Sequence, residues 1–362
     1  MNIKRKNTKV INIGGVRIGG GHPIAIQSMT KVKTAGIKKT VSQIRALERA
    51  GCEIIRVAVK DIDDACALSK IKKQINIPLV ADIHFDYRLA LGAIKHGADK
   101  IRVNPGNIGK PSYLEKVIKA ARAGKVPIRI GVNSGSVGVT DKNNSSYTNR
   151  LIDLAGKYIR FFERRGFRDL VVSLKSSNVL ETMRAYKKCS GICDYPLHLG
   201  VTAAGSYEAG IVKSSIGIGS LLAEGIGDTI RVSLTGNPVS EVMAAKRILQ
   251  SLNLRYFWPD VVSCPTCGRC QVDLSGIVKE FTNRYLSSNA IRNKHDAIRT
   301  GPLNVAIMGC EVNGPGEAKE ADIGIAFGKN SGIIFEKGKV VKKVKFKDAV
   351  KELIGILKKA NK

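Results

Sequence analysis

The chain has few aromatic residues, and this scarcity argues against one class of partner. Phe, Trp and Tyr make up 5% of the 362 residues, with one Trp in all. Proteins that hold single-stranded nucleic acid stack its bases on aromatic side chains, so nucleic acid is not an expected partner. No apolar run approaches the length that spans a bilayer, and glycines interrupt the stretch behind the basic N-terminus, which makes it a poor signal peptide. We therefore expect a cytoplasmic protein without a membrane partner.

Acidic residues are also scarce. The sequence has 30 Asp and Glu against 60 Lys and Arg, a formal net charge of +30. Such an excess favours anionic partners: a phosphorylated substrate, an acidic redox protein or nucleic acid. Charge alone does not choose among them, because clustered lysines also form ordinary solvated faces.

Hydrophobic periodicity predicts the fold. After a predicted hairpin at 9–19, short β-branched runs alternate with amphipathic stretches. Eight strand-then-helix units of this kind are typical of a closed (β/α)8 TIM-type barrel, an α/β fold, which we place at residues 1–252. The predicted strands are 24–29, 53–59, 78–84, 100–105, 127–133, 169–175, 197–202 and 229–235.

The pattern changes from residue 253 onward. A turn with three thiols, a helix at 274–286 and a strand at 304–308 come first. A second strand at 322–327, a hairpin at 332–345 and a closing helix at 347–359 complete a small α+β domain, which we place at 253–362.

Polar residues recur at every second position near the carboxyl ends of the barrel strands. In TIM-type barrels these ends face the active site. Uncompensated charge near a barrel core is costly, so we expect anions there. Glu53, Asp82 and Asp228 are candidate counter-ions, and a phosphate or diphosphate substrate would neutralise the rest, because arginine matches phosphate oxygens well. The expected substrate-binding residues are Arg56, His84, Arg102, Asn104, Arg129, Asn133, Lys175, His198 and Arg231.

Two glycine-containing turns follow barrel strands and could add backbone N–H groups to an anion site. They occupy residues 104–109 and 133–136, and neither is a specific signal by itself.

Four thiols near the C-terminus have the spacing of a metal site. Cys264, Cys267 and Cys270 precede Cys310 by about forty residues, with Gly and Pro around them. This pattern fits either a closed tetrahedral zinc site or a 4Fe-4S cluster. We favour the cluster, because a redox centre could act on an anionic substrate bound at the end of the barrel. We expect the other four cysteines, Cys52, Cys66, Cys189 and Cys193, to be structural.

The motifs at 264–270 and 310–317, with Cys-Pro-Thr-Cys-Gly-Arg in the first and Asn-Gly-Pro-Gly-Glu in the second, closely resemble those of the 4-hydroxy-3-methylbut-2-enyl diphosphate synthase family. The barrel segments 23–30, 102–109, 129–135, 198–202 and 215–233 are similar to the same family. The resemblance implies a two-domain enzyme of the non-mevalonate isoprenoid pathway, which reductively opens 2-C-methyl-D-erythritol 2,4-cyclodiphosphate.

The resemblance also implies the cofactor and its ligands. A 4Fe-4S cluster would be held by Cys264, Cys267, Cys310 and Glu317, with Glu317 also catalytic, whereas spacing alone favours Cys270 as the fourth ligand. Ser263, which precedes the first thiol, is expected to bind substrate. The family pattern further implies a homodimer, in which the barrel of one subunit faces the cluster domain of the other, and a flavodoxin or ferredoxin as electron donor.

The chain departs from the family pattern at four positions. Cys270 stands where a non-thiol is common, and it is a rival ligand. Ala203 replaces an acidic residue, and Lys31 and Lys33 replace Asn and Asp. If those carboxylates assist protonation in relatives, this protein does without them.

Two other functions fit parts of the sequence. A radical enzyme could combine a cluster with a barrel, but the tight three-cysteine loop after the first strand is missing. A basic nucleic-acid-binding protein with a zinc knuckle would match the charge, but it would need aromatics and an exposed basic stripe.

Overall fold

A computed structural model describes residues 3–133, 147–287, 303–312 and 314–360. The chain forms two compact units, Met1–Arg255 and Tyr256–Lys362. No helix within the described residues has both the length and the hydropathy of a membrane span.

The first unit is an eight-stranded parallel barrel entered through a short hairpin. The hairpin strands are β1 (Ile11–Ile13) and β2 (Val16–Ile18). The barrel strands are β3 (Ala25–Met29), β4 (Ile54–Val59), β5 (Leu79–Ile83), β6 (Lys100–Val103), β7 (Ile128–Asn133), β8 (Leu170–Lys175), β9 (His198–Leu199) and β10 (Thr229–Ile230). A parallel bridge from Val172 to Leu197 closes the ring between β8 and β9. The predicted (β/α)8 barrel is confirmed.

Eight helices cover the described outer face of the barrel. They are α1 (Ile37–Ala50), α2 (Ile62–Lys72), α3 (Tyr87–Lys95), α4 (Pro111–Ala123), α5 (Tyr147–Glu163), α6 (Val179–Ile192), α7 (Tyr207–Ala223) and α8 (Pro238–Ser251). Local sequence fixes their ends: Asn237 caps α8 by accepting the Val239 N–H, and Gly51 ends α1 in the left-handed conformation.

The hairpin fills the amino-terminal end of the barrel. Ile11, Ile13 and Ile18 are buried with inward residues of four strands, namely Ala25, Ile54, Val80 and Val171. Since side chains alternate along a strand, residues two and four positions further on face the same interior. Apolar packing therefore closes one end, and the opposite end receives the polar residues.

The second unit is a five-stranded sheet with helices on both faces. Its strands run in the order β11 (Asp260–Ser263), β12 (Asn304–Met308), β13 (Ile323–Phe327), β14 (Gly332–Glu336) and β15 (Lys339–Val344). The pairs β11–β12 and β12–β13 are parallel, and the other two pairs are antiparallel. The helices are α9 (Leu274–Ser287), α10 (Gly314–Glu320) and α11 (Ala349–Ala360).

Strand alternation divides the core of this unit in two. Val305 and Ile307 pack in one cluster with residues of α9 and α11. Ala306 and Met308 face the other way and pack against Ala318 of α10. Pro315 lies in the first turn of this short helix, where its missing N–H costs no hydrogen bond.

Candidate functional site

The barrel register brings the predicted cations onto one inner face. Arg102 pairs with Arg129 across β6 and β7, and Arg56 pairs with Val80, which belongs to the inward-facing core cluster. Paired residues of neighbouring strands point to the same side of a sheet. All three arginines are buried, so the carboxyl end of the barrel holds several cations out of contact with bulk water.

Asp82 is the central counter-ion of this group. Its two carboxylate oxygens lie 3.2 Å from Arg102 Nη1 and 3.6 Å from Arg56 Nε. The half-exposed His84 places Nε2 at 3.5 Å. Burial by itself would raise the pKa of Asp82, but Arg56, His84 and the other arginines outweigh it and hold the pKa well below its usual range. Asp82 is therefore an anion throughout the physiological range.

A second carboxylate, Glu241, was missed by sequence reasoning. It accepts hydrogen bonds from Ser28 Oγ at 3.2 Å and from the Leu234 N–H at 3.1 Å. Lys31 Nζ lies 3.0 Å and Arg231 Nη2 3.6 Å from its oxygens. The available signal was its place in the first turn of α8, directly after the Asn237 cap, because helix amino termini favour acidic residues.

Glu53 and Asp228, two of the expected counter-ions, pair with cations outside the barrel-end group. The prediction for these two residues was wrong. Glu53 pairs with Arg255 at 2.6 Å and accepts the Ile26 N–H. Asp228 pairs with Arg5 at 3.0 Å and accepts the Leu197 N–H. Both carboxylates precede the inward-facing cations of their strands, so they hold loops at the amino-terminal end of the barrel.

Several buried donors at the carboxyl end have no hydrogen-bond partner in the described protein. They include Arg129 Nε and Nη1, Arg231 Nε and His198 Nε2. Burial, followed by the neighbouring cations, lowers the pKa of Arg129, Lys175 and His198 well below ordinary values. The same causes, partly offset by Asp82, lower that of Arg56 to about 10. Neighbouring cations contribute to each of these shifts after burial, because Asp82 and Glu241 are fewer than the cations gathered here.

His198 is the deepest of the predicted ligands. Its side chain is fully buried, and its Nδ1 lies 2.8 Å from Thr229 Oγ1 on β10. The lowered pKa keeps the imidazole neutral at physiological pH. His198 is therefore suited to hydrogen bonding and not to charge neutralisation.

Two glycines leave space for the side chains of cationic residues on neighbouring strands. A methyl group at Gly131 would overlap Arg102 Nε and lie 3.0 Å from Nη2. A methyl group at Gly200 would lie 2.5 Å from Lys175 Nζ and 2.6 Å from the Arg231 carbonyl oxygen. Each cation crosses a neighbouring strand where a side chain is absent, which sequence reasoning did not recognise.

The remaining predicted ligands are placed differently. Asn104 is buried directly after β6. Asn133 ends β7, but its side chain and the turn at 134–136 lie outside the described residues. Ser263 ends β11 of the second unit and is exposed.

The thiols of the second unit lie in two loops that leave adjacent parallel strands. Cys264 follows β11, and Cys310 follows β12 and Gly309. A methyl group at Gly309 would overlap Cys270 Sγ and lie 3.6 Å from Cys264 Sγ. The Gln271 N–H donates to the Gly309 carbonyl at 2.8 Å. Two thiols of the first loop therefore lie against Gly309, which directly precedes Cys310 of the second loop.

Cys267 and Cys310 complete the group of thiols. The pKa of the exposed Cys267 is lowered, first by the Arg269 backbone N–H and then by its side chain, and Cys310 acts in the opposite direction. Cys310 itself directly follows Gly309, the glycine that Cys264 and Cys270 approach. Soft thiols converging from two loops match the donor chemistry of an iron-sulfur group.

The fit concerns donor chemistry and not coordination geometry. Within the described part of the chain, no three or more His, Cys, Asp or Glu side chains have the arrangement of a metal-ion site. Glu317 lies exposed in the first turn of α10. Cys270 lies among the other thiols, which keeps it a rival ligand.

Two family models match this chain. The GcpE TIM-barrel domain matches residues 8–246, and the GcpE protein C-terminal domain matches residues 260–359. The chain belongs to the GcpE family.

Curated GcpE relatives match along nearly the whole sequence. A protein of Caldanaerobacter subterraneus subsp. tengcongensis is 52% identical over 98% of both chains. One of Thermodesulfovibrio yellowstonii is 51% identical over 99% of this chain and 100% of its own. Both are named 4-hydroxy-3-methylbut-2-en-1-yl diphosphate synthase (flavodoxin). The resemblance found in the motifs is confirmed.

A solved structure extends the likeness of fold beyond the GcpE family. Dihydropteroate synthase from Stenotrophomonas maltophilia aligns with a TM-score of 0.52 at 14% identity, over 68% of this chain and 98% of its own. At that identity the likeness shows a shared fold and nothing more.

Proposed function

We propose that this chain is an oxidoreductase that converts 2-C-methyl-D-erythritol 2,4-cyclodiphosphate to 4-hydroxy-3-methylbut-2-enyl diphosphate by reductive ring opening and loss of water. Near full-length GcpE relatives bear the name of that synthase. The observation that carries the proposal is the surplus of buried, unpartnered cationic donors at the barrel end, because a cyclic diphosphate supplies the missing negative charge.

We assign substrate binding to the barrel. Arg129 and Arg231 present buried N–H groups that have no partner among the described residues, and a diphosphate oxygen can accept from each. Lys175 and Arg56 add positive charge to this site. A bound anion beside them would raise the pKa of each side chain towards its ordinary value. His198 Nε2, neutral and unpartnered, is placed to hydrogen-bond the substrate. A hydrogen bond between charged groups contributes about 1.5–3 kcal/mol, so a few of them suffice for firm binding.

We assign the cofactor to the second unit as a 4Fe-4S cluster. Cys264, Cys267, Cys310 and Glu317 would hold it, with Cys270 as the alternative fourth ligand. When bound, such a cluster supplies electrons singly and a Lewis-acidic iron that eases the loss of an oxygen. Glu317, an exposed carboxylate in the first turn of α10, would act as a releasable ligand or hold a proton beside the departing oxygen.

We infer that the electron donor is an acidic protein. The names of the relatives specify flavodoxin, and ferredoxin is the alternative of similar charge. A chain with a net charge of +30 attracts such donors at long range. A homodimer and a cytoplasmic location stay part of the proposal.

An anaerobic preparation tests the proposal directly. The purified protein should be brown, contain iron and inorganic sulfide, and turn over the cyclic diphosphate with a strong reductant. A colourless protein with stoichiometric zinc would overturn the proposal and favour a zinc knuckle.

Paired variants test the ligand assignment. We expect Glu317→Ala to lose most turnover and Cys270→Ser to keep its iron. Cys264→Ser is the matched control that should lose the cluster altogether. Equal loss of iron in the Glu317 and Cys270 variants would contradict the assignment of Glu317 as the fourth ligand.

A further inference from the structure

Two of the cysteines that we expected to be structural lie against each other at the end of α6. Cys189 is fully buried in the last turns of the helix, and Cys193 is its C-cap residue in an extended conformation, with φ −146°. Their sulfur atoms are 3.7 Å apart. A bend from helix to extended chain between them turns the second side chain back over the first.

The two thiols differ in access. Cys189 is shielded by the barrel, whereas Cys193 is partly exposed. The pKa of Cys193 is lowered to about 7, mainly because its sulfur accepts a hydrogen bond from Cys189, with help from the Tyr195 N–H and the Lys6 charge. The hydrogen bond with Cys193, followed by burial, raises the pKa of the Cys189 thiol. Cys193 is therefore the more accessible and the more acidic of the two thiols.

The N-terminal segment holds the backbone of this site in place. Lys6 Nζ donates to the Cys193 carbonyl at 2.8 Å, and the Lys9 N–H donates to the Asp194 carbonyl at 2.7 Å. Lys9 Nζ also pairs with Asp194 at 3.0 Å and lies 4.1 Å from the centre of the Tyr195 ring. A fixed backbone at Cys193 keeps its sulfur within reach of Cys189.

We propose that Cys189 and Cys193 are a reversible dithiol–disulfide pair that reacts with small disulfides. The Cys193 thiolate attacks the external disulfide, forms a mixed disulfide and releases one small thiolate. Cys189 then attacks the Cys193 sulfur, loses its proton and releases the second small thiol. Counted from the thiolate–thiol form, the protein loses two electrons and one proton, and the external disulfide becomes one small thiolate and one small thiol.

The geometry needs only a small movement. The sulfurs must approach from 3.7 Å to about 2.0 Å, which rotation of the two side chains can supply. The pair lies between α6 and β9, at the amino-terminal end of the barrel strands. The cationic site occupies the opposite ends, so we expect the disulfide to leave substrate binding unchanged.

The experiment uses the anaerobically purified full chain, treated with oxidised glutathione, alkylated and digested with trypsin. Both thiols fall in one peptide, residues 189–213, which contains no other cysteine. We expect this peptide to resist alkylation, to be lighter by two hydrogens, and to regain both thiols on reduction with dithiothreitol.

Single variants and one lone thiol serve as controls. Cys189→Ser should accumulate glutathione on residue 193, and Cys193→Ser should leave residue 189 free because that sulfur is buried. Cys66, exposed and without a cysteine neighbour within the described residues, should form only the mixed disulfide. The proposal is overturned if wild-type peptide 189–213 stays alkylatable while Cys66 has reacted, or if it stops at the mixed disulfide.

Discussion

Individual carboxylates at the barrel end hold more than one cation each. Asp82 contacts Arg56, Arg102 and His84, and Glu241 contacts Lys31 and Arg231. Within the part of the chain that the structure describes, Arg129 has no such partner for Nε or Nη1. A buried cation without an anion lowers stability. Arg129 therefore destabilises the protein without ligand, and a bound anion would remove that destabilisation.

Replacing Arg129 should therefore separate stability from binding. We expect Arg129→Met to raise the free energy of unfolding by about 1–4 kcal/mol, because an apolar side chain of similar length removes an unpaired buried charge. Substrate affinity should fall by about 10- to 100-fold. Denaturant unfolding and equilibrium binding of the cyclic diphosphate measure the two effects.

Arg102→Met is the matched control. It also removes a cation, but it leaves Asp82 with one partner fewer, so the free energy of unfolding should fall while affinity is lost. Equal stability changes in the two variants would contradict the charge arrangement described here.

The thiolate at Cys193 predicts a pH dependence. Because its pKa lies near 7, the nucleophilic form is absent well below that pH and complete above it. The rate of thiol loss in peptide 189–213 should rise through about pH 7 and then level off. In Cys189→Ala the midpoint should move upward, because the hydrogen bond that lowers the Cys193 pKa most is lost. A wild-type rate still rising steeply at pH 9 would contradict this order of attack.

At the scale of elements, strand register decides where the cations point. Arg102 on β6 crosses β7 at Gly131, and its Nη2 lies 3.4 Å from the Gly131 carbonyl oxygen. A strand with a side chain at that position would displace the guanidinium. The glycine therefore acts on binding through the position of its neighbour.

We expect Gly131→Ala to fold as a barrel and to bind substrate about 10-fold or more weakly. The added methyl group meets the end of a flexible side chain, so destabilisation should stay within the range of about 1–3 kcal/mol known for overpacking. Thermal unfolding and substrate titration check the two parts.

Gly219→Ala on α7 is the control. A methyl group there meets nothing within 4 Å, and alanine stabilises a helix interior by about 1 kcal/mol relative to glycine. Its affinity for substrate should equal that of the wild type. A similar loss of substrate affinity in both variants would show that Gly131 does not act through the position of Arg102.

At the scale of the whole molecule, a net charge of +30 is the dominant property. Salt screens such a field, with a Debye length of about 10 Å at 0.1 M and about 3 Å at 1 M. Electron delivery by an acidic donor protein should depend on this attraction more than any later step does.

Turnover at limiting flavodoxin should therefore fall by about 10-fold or more as salt rises. The rate with an uncharged small reductant should change little over the same range, which separates donor encounter from cofactor loss. If the rates with flavodoxin and with the small reductant fell equally, salt would be acting on the protein itself.

The sequence by itself determined the repeated units and the group of thiols. Strand and helix periods are local, so the barrel strands were predicted within a few residues, and β12 was predicted with its observed bounds, Asn304–Met308. The short helix α10 was missed, because Gly and Pro in its first turn also suit a loop.

Only the tertiary structure decided which charges and sulfurs meet. Ser28 reaches Glu241 across 213 positions, and Asp228 turns to Arg5 across 223. Nothing local tells which cation each of these acids binds, and the same holds for Glu53, which binds Arg255. The spacing of Cys189 and Cys193 already places them on one helix face, and the fold decides that Cys189 is buried while Cys193 is partly exposed. Local periodicity fixes elements, whereas long-range ion pairs and the thiol contacts between loops depend on how those elements pack together.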